Sequence, residues 1–505
     1  MGAGYALASR LSHTPVGHYR VYDPSQALNR RARTRRASVV ALAIFVCLVA
    51  NVPKAHSADP RPNVVLVITD DQDIPTLAAM PKLQELVADE GVTFTSAFAV
   101  NSLCCPSRAS IFTGNFSHTH GVYGNVFAQL GGWRAFYENG NEDKAIAKVL
   151  DDAGYHTGLV GKYLNEYDIS GDVTGIPNYI PPGWDEWNAF YEDNARFYDY
   201  DLNENGTIVA YGSEPGDYSG DVLNTKSTDF IAGAPDEQPL FLVYAPNAPH
   251  GPYTPSPEYE NASTGINWKW TPAFNEKDVS DKPGYIRKLP RLRDNQKKRL
   301  ESQREAAAVS LMTVDDGIEA IVESLEAEDR LANTMIIVMG DNAFSWGDHR
   351  WVYKIAPYES SIKIPFLIRY PPSFPAGAEE NKLVANVDIA PTIADAAGVA
   401  LDTDGESLVP LVTGDVEALR DALLIEHRGL GPTLDVAGDV PSFCAIRTNK
   451  ALFVRYTGGF EELYRLQQDP YELENRAPDA KRHARTFRKQ TRELCEPLPP
   501  GMNPF

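Results

Sequence analysis

Residues Asn63–Thr69 read NVVLVIT and run straight into Asp70-Asp71. Seven β-prone residues without polar alternation predict a strand buried on both faces, as in a parallel sheet. Two more runs share this texture. Leu240–Ala245 (LFLVYA) leads into Pro249-His250, and Thr334–Met339 (TMIIVM) ends in Gly340-Asp341-Asn342. Helical spacings lie between them: Met80, Leu83, Leu86 and Val87, stopped by Gly91, and Ala306–Leu325. Strands alternating with helices predict an α/β, doubly wound domain with a mostly parallel sheet flanked by helices. Ligands in such sheets bind beyond the carboxyl ends of the strands, where these Asp, Asn and His residues fall.

After Gly398 the runs become short. Leu423–Glu426, Cys444–Thr448, Ala451–Tyr456 and Leu463–Leu466 alternate with Gly, Pro and Asn turns. They predict a smaller C-terminal α+β subdomain with an antiparallel sheet, closed by a helix over Ala480–Leu494. Before the first strand, Arg30, Arg31, Arg33, Arg35 and Arg36 precede the apolar run Val39–Ala50 and the small-residue pattern Ala55-His56-Ser57. That order is a secretory signal, through the general or the twin-arginine route. Twelve apolar residues are short for a bilayer span, so no stable membrane anchor is expected. The chain of 505 residues thus divides into a signal peptide (1–57), a large domain (58–410) and the smaller subdomain (411–505).

Residues 1–57 hold eight Lys/Arg and one Asp; the remaining 39 basic and 67 acidic residues leave a net charge of −28. So acidic a chain does not hold nucleic acid through its overall field, and it attracts cations. Beyond residue 57 it keeps Cys104, Cys105, Cys444 and Cys495, too few for a disulfide scaffold. Cys444 and Cys495 are able to pair after export, but spacing alone does not establish it.

Cys104-Cys105-Pro106-Ser107-Arg108 is the most specific motif, with a helix expected over Ser107–Thr113. Asp70, Asp71, Asp341 and Asn342 are hard oxygen donors, suited to Ca²⁺, with Mg²⁺ the lesser choice. Asp and Asn also open loops for their own sake; here two such pairs each end a buried strand.

The C-x-P-S-R pattern is the signature of type I sulfatases, and the chain resembles their N-acetylglucosamine 6-O-sulfatase branch from about Pro62 onward. The resemblance rests on RPNVVLVITDDQD, LCCPSRASIFTGNFSHTHGV, AGYHTGLVGKYLNEY, APNAPHGPY, ANVDIAPTIADAAGV and EELYRLQQDPYELEN. It implies an alkaline-phosphatase-like fold and hydrolysis of a sulfate monoester of a sugar, a small alcohol or an aryl group. It also implies that a formylglycine-generating enzyme oxidises Cys104. The hydrated aldehyde has two hydroxyls, one to attack sulfur and one to let the sulfated product collapse. The implied metal ligands are Asp70, Asp71, Asp341, Asn342 and the modified Cys104. Arg108, Lys162 and Lys354 are implied to hold sulfate and formylglycine oxygens, and His250 to stand beside the leaving oxygen.

Two departures qualify the match. Leu164 stands where many sulfatases carry a histidine, so the base that eliminates sulfate is unassigned, with His118 and His120 as candidates. Asp341-Asn342-Ala343-Phe344-Ser345 replaces the usual Gly and His of that loop, which predicts an altered substrate pocket. A phosphonate or phosphate monoester hydrolase on the same scaffold, or a silent metal-binding homologue, is the competing reading. The aromatic cluster Trp184, Trp187, Phe190, Tyr191, Phe197, Tyr198 and Tyr200 reads as core before it reads as a sugar platform. The basic run Arg287, Lys288, Arg291, Arg293, Lys297, Lys298 and Arg299 reads as a solvated helix face. Oligomeric state is not written in the sequence.

Overall fold

The structure, a computed structural model, describes residues 59–167, 171–191, 195–428 and 440–495. The expected signal peptide lies outside the described residues. Strands β1 (Asn63–Thr69), β2 (Val92–Phe94), β3 (His156–Gly161), β4 (Glu186–Phe190), β5 (Tyr200–Glu204), β6 (Thr207–Tyr211), β7 (Leu240–Ala245), β8 (Thr334–Gly340), β9 (Phe366–Arg369) and β10 (Ala378–Glu380) form one sheet. Its spatial order is β10-β2-β9-β8-β1-β7-β3-β4-β5-β6. The centre, β8-β1-β7-β3-β4, is parallel, and β9, β5 and β6 pair antiparallel with their inner neighbours. The apolar run therefore became the buried centre of a mixed sheet. All seven residues of β1 are buried.

Register sets the site. Asn63 pairs with Thr334 and Thr69 with Gly340, so the two strands end level and Asp70-Asp71 and Asp341-Asn342 emerge side by side. The Asp341 amide donates to the Thr69 carbonyl at 2.9 Å and fixes that exit.

One face of the sheet is covered by α1 (Cys104–Thr113), in a core with Phe112, Trp133, Tyr163 and Trp187. The other is covered by α2 (Ser219–Gly233) and α3 (Asp294–Ala327), around Leu223, Phe230, Ile318 and Leu325. The helix expected from Ala306 begins twelve residues earlier, because its first turns are polar and exposed and carry little apolar period. The Met80–Val87 pattern folds as a short turn, Pro81–Leu83, widened into a π-turn over Gln84–Ala88.

The small sheet is antiparallel: β11 (Leu423–His427), β12 (Phe443–Thr448), β13 (Ala451–Tyr456) and β14 (Glu461–Tyr464). Its last strand starts two residues before the expected run because Glu461 pairs opposite Arg455. A helix, α4 (Lys481–Leu494), packs on it, and a disulfide joins Cys444 of β12 to Cys495. The sheet shares a core with Phe98, Tyr285 and Tyr358, so it packs on the large domain. Glu462 is buried between them and accepts hydrogen bonds from the hydroxyls of Tyr358, Tyr456 and Tyr464.

The aromatic cluster is core: Trp187, Phe190, Phe197 and Tyr200 are buried. The basic run is solvated and helical only at its ends: Arg287 closes a short helical turn, Gly284–Arg287, and Lys297, Lys298 and Arg299 lie in α3. Arg287, Lys288, Arg291 and Arg293 precede α3, and Lys297 pairs with Asp294 at 2.6 Å. Among the described residues no helix is long and apolar enough to cross a membrane.

Candidate active site

The helix carrying Cys104 begins at Cys104 itself, three residues before the expected start. Leu103 is extended, and Pro106 falls in the first turn, where its missing N–H is not needed. Gly114, left-handed at φ 70°, ends the helix. Cys104 thus sits at the amide-rich end of a buried helix, beside the ends of β1 and β8, a place that favours an anion.

Every site residue expected from the sequence reaches this point. Asp70 and Asp341 are fully buried, and one ligand atom each of Asp70, Cys104 and Asp341 lies within 4.8 Å of the others. Asp70, Asp71 and His250 form a second such group. The cations interleave with the carboxylates. Arg108 donates from Nε to Asp341 Oδ2 at 2.8 Å and from one terminal nitrogen to the Lys162 carbonyl at 2.8 Å. Its other terminal nitrogen, 4.0 Å from Asp70, has no hydrogen-bond partner. Lys162 Nζ donates to Asp70 at 2.5 Å. Lys354 Nζ reaches Asp71 at 2.5 Å and the Cys104 sulfur at 2.7 Å. His250 donates from Nδ1 to the Gly251 carbonyl at 2.8 Å, which leaves Nε2 facing Asp71 at 3.6 Å.

These contacts divide the charges unevenly. Burial alone would raise the Asp70 carboxyl, but Lys162, then His250, Arg108 and Lys354, hold it well below the usual carboxylate range. Asp341 moves the other way, pushed up by burial and by Asp70. Burial, and next Asp70, push the Cys104 thiol up to about 12. At neutral pH that sulfur keeps its proton and is no thiolate nucleophile. An unmodified Cys104 is therefore chemically quiet here.

The donor set suits a hard divalent cation. Three carboxylates and one carboxamide converge, and the Asn342 side-chain oxygen is buried without a partner while its nitrogen donates to Asp71 at 2.6 Å. A buried acceptor left open costs free energy that a cation would recover.

The two histidines considered for sulfate elimination are structural. His120 accepts from the Val122 amide at Nδ1, bonds Ser110, and is driven down to about 3 by burial. His118 is tied to Glu426 on the small sheet at 3.0 Å. Leu164 is core. Of the three histidines weighed, His250 alone touches the cluster.

Sequence reading missed the supports, whose signals are single residues inside longer motifs. Ser107 donates to the Asp341 carbonyl and accepts from Asn386 at 2.8 Å. The Trp351 indole donates to the Lys354 carbonyl at 2.9 Å. Ile355, left-handed at φ 76° although β-branched, turns the chain after Lys354, and its amide is held by the Ser102 carbonyl at 3.0 Å. The altered loop points elsewhere: Ser345 bonds Ser360 and the Trp351 carbonyl, while Phe344 helps line a cavity of about 260 Å³.

Comparison with known proteins agrees with this geometry. Residues 62–399 match the sulfatase family, and residues 347–496 match the N-sulphoglucosamine sulphohydrolase C-terminal family. The chain is 34% identical over 453 residues to a Homo sapiens N-acetylglucosamine-6-sulfatase, covering 82% of this chain and 81% of that protein. It is 34% identical over 419 residues to a Caenorhabditis elegans homologue of an extracellular sulfatase, covering 78% of this chain and 56% of that protein. This chain therefore spans little more than half of the latter's length. A structure described as bound to its substrate D-glucosamine-2-N,6-O-disulfate superposes with TM-score 0.70 at 22% identity, covering 86% of this chain and 98% of that one. A phosphonate monoester hydrolase of Agrobacterium radiobacter superposes with TM-score 0.63 at 21% identity, covering 86% and 95%.

Proposed function

This chain belongs to the sulfatase family, and we propose that it hydrolyses the sulfate monoester of a sugar or small alcohol with formylglycine, formed from Cys104, as nucleophile. N-acetylglucosamine 6-sulfate and aryl sulfates are the substrates to try first. The observation that carries the reading is the convergence of Cys104 with Asp70, Asp341, Arg108, Lys162 and Lys354 at one buried point. A thiol held protonated there contributes nothing as it stands, whereas a hydrated aldehyde supplies an oxygen nucleophile.

The residues divide the work. Asp70, Asp71, Asp341 and Asn342 would hold a divalent cation, Ca²⁺ before Mg²⁺, which lowers the pKa of the attacking hydroxyl and polarises the sulfate. Lys354 already grips residue 104 and would keep the nucleophile in one rotamer. Arg108, with a free terminal nitrogen, and Lys162 would balance the sulfate's charge. His250 keeps Nε2 available to pass a proton to the leaving alcohol. The expected secretory segment makes the protein an exported one, which agrees with the printed name of its C. elegans relative.

Three measurements test this. A peptide mass spectrum of Leu83–Arg108 from natively produced protein should show the aldehyde at Cys104; an intact thiol there sinks the nucleophile assignment. An aryl sulfate should be turned over faster than an aryl phosphonate, and the reverse order gives the site to the phosphonate chemistry. Chelation should remove activity and lower the melting temperature, with Ca²⁺ restoring both at lower concentration than Mg²⁺. A site saturated at 100 times its Kd gains about 2.7 kcal/mol. A chelated protein that melts unchanged and stays active removes the metal from the reading.

A further inference from the structure

The cavity beside the metal-ligand loops has no part in the chemistry above. Asp73, Arg304, Trp270, Phe344, Trp346 and Asp348 form its walls around about 260 Å³. Two of its lining residues stand close in the chain to the metal-ligand residues. Asp73 follows Asp71 by two residues, and Phe344 follows Asn342 by two. Trp346 lies against Tyr253, with ring centroids 5.6 Å apart. Tyr253 stands three residues after His250, on the side from which the alcohol would leave.

An incomplete polar pair sits in the wall. Arg304 donates to Asp73 Oδ2 at 2.7 Å, and its guanidinium lies 4.7 Å from the Trp268 ring and 5.5 Å from the Trp270 ring. Both residues are only 7% exposed, yet Asp73 Oδ1 and Arg304 Nε have no partner. Buried polar atoms are nearly always satisfied, so the open acceptor and the open donor call for groups that complete them. Neighbouring hydroxyls of a pyranose do so, as does an acetamido group, since each donates and accepts. Aromatic walls beside such polar atoms suit a sugar's C–H faces. The acidic lining residues Asp73, Asp348, Glu359 and Glu472 outnumber the basic Arg304 and Lys363, which opposes an anionic ring.

We propose that this cavity is a subsite for a neutral sugar ring carried by the leaving alcohol, with Asp73 and Arg304 completed by its hydroxyl or acetamido groups. Its place in a substrate rests on the sulfatase reading; the binding itself does not. The test has two arms on the full-length protein. In the first, N,N′-diacetylchitobiose should quench tryptophan fluorescence saturably at millimolar concentration, and a uronate-containing disaccharide should not. No quenching at about 50 mM, or equal quenching by both, overturns the proposal. In the second, Arg304→Gln should raise the KM for 6-O-sulfated diacetylchitobiose about tenfold, the scale of one charged hydrogen bond, and leave kcat/KM for 4-nitrophenyl sulfate within about twofold. Equal losses on both substrates, or none on either, overturn it. Phe344→Ala, at the half-buried wall, is the companion variant should Arg304→Gln not fold, with the same split expected. If 4-nitrophenyl sulfate is not hydrolysed at all, the sulfatase reading fails and the fluorescence arm alone decides the cavity.

Discussion

Cys104→Ala is expected to abolish sulfate-ester hydrolysis, a fall of about 10⁴-fold or more, the scale seen when a nucleophile is removed from an otherwise intact site. The protein itself should survive. The Cys104 side chain is 1% exposed but small, and its truncation removes two contacts, from Lys354 Nζ and to Asp70 Oδ1. The cations and carboxylates around it keep their other partners. The melting temperature should therefore move by no more than a few degrees. Cys104→Ser should be as inactive in single-turnover release of sulfate, because one hydroxyl cannot both attack and later expel sulfate. Turnover by Cys104→Ala at a tenth of the parental rate would show that residue 104 is not the nucleophile.

Arg108→Ala should have the largest effect on stability. The guanidinium is wholly buried, bonded to Asp341, and close to Asp70. Removing one partner of a buried ion pair leaves the other charge uncompensated, at a cost of about 3–5 kcal/mol. Here the surviving carboxylates would repel one another through a dry core, and activity should vanish with the sulfate's counter-charge. Arg108→Lys should not rescue. An ammonium cannot reach Asp341 and the Lys162 carbonyl together, nor present a further N–H outward. Chemical denaturation and 4-nitrophenyl sulfate turnover read the two effects. A Lys variant with parental stability and rate would mean that charge alone matters at 108. Bound cation should partly offset the Ala variant's loss, so the stability difference should widen on chelation.

Much of this was legible early because the informative residues follow strand ends. Asp70-Asp71 and Asp341-Asn342 close apolar runs, and a parallel sheet brings the ends of its strands to one edge whatever their distance in the chain. Cys104 and Arg108 share a first helical turn, so a local motif fixed their relation. The limits of the helices were less legible. Polar first turns hid the start of α3 at Asp294, and the helix of Cys104 reaches back to the cysteine because Leu103, not a Ser or Asp, caps it. His118 and His120 illustrate the opposite error. Both lie within one short helical turn after α1, yet one accepts from a backbone amide and the other pairs with Glu426 across to the small sheet.

By itself the sequence determined which runs are buried strands, the Cys-x-Pro-Ser-Arg motif and the identity of the oxygen donors, since each rests on local pattern or on side-chain chemistry. Tertiary structure decided which charge answers which. Lys162 falls to Asp70, Lys354 to Asp71 and Cys104, and Arg108 to Asp341, while Asn342 keeps an oxygen free. Those pairings depend on strand register and on loops that return from more than 200 residues away, as the path from Asp71 to Lys354 does. Only the folded chain could show the open donor and acceptor of Arg304 and Asp73. Sequence lists polar groups, and packing alone leaves one without a partner.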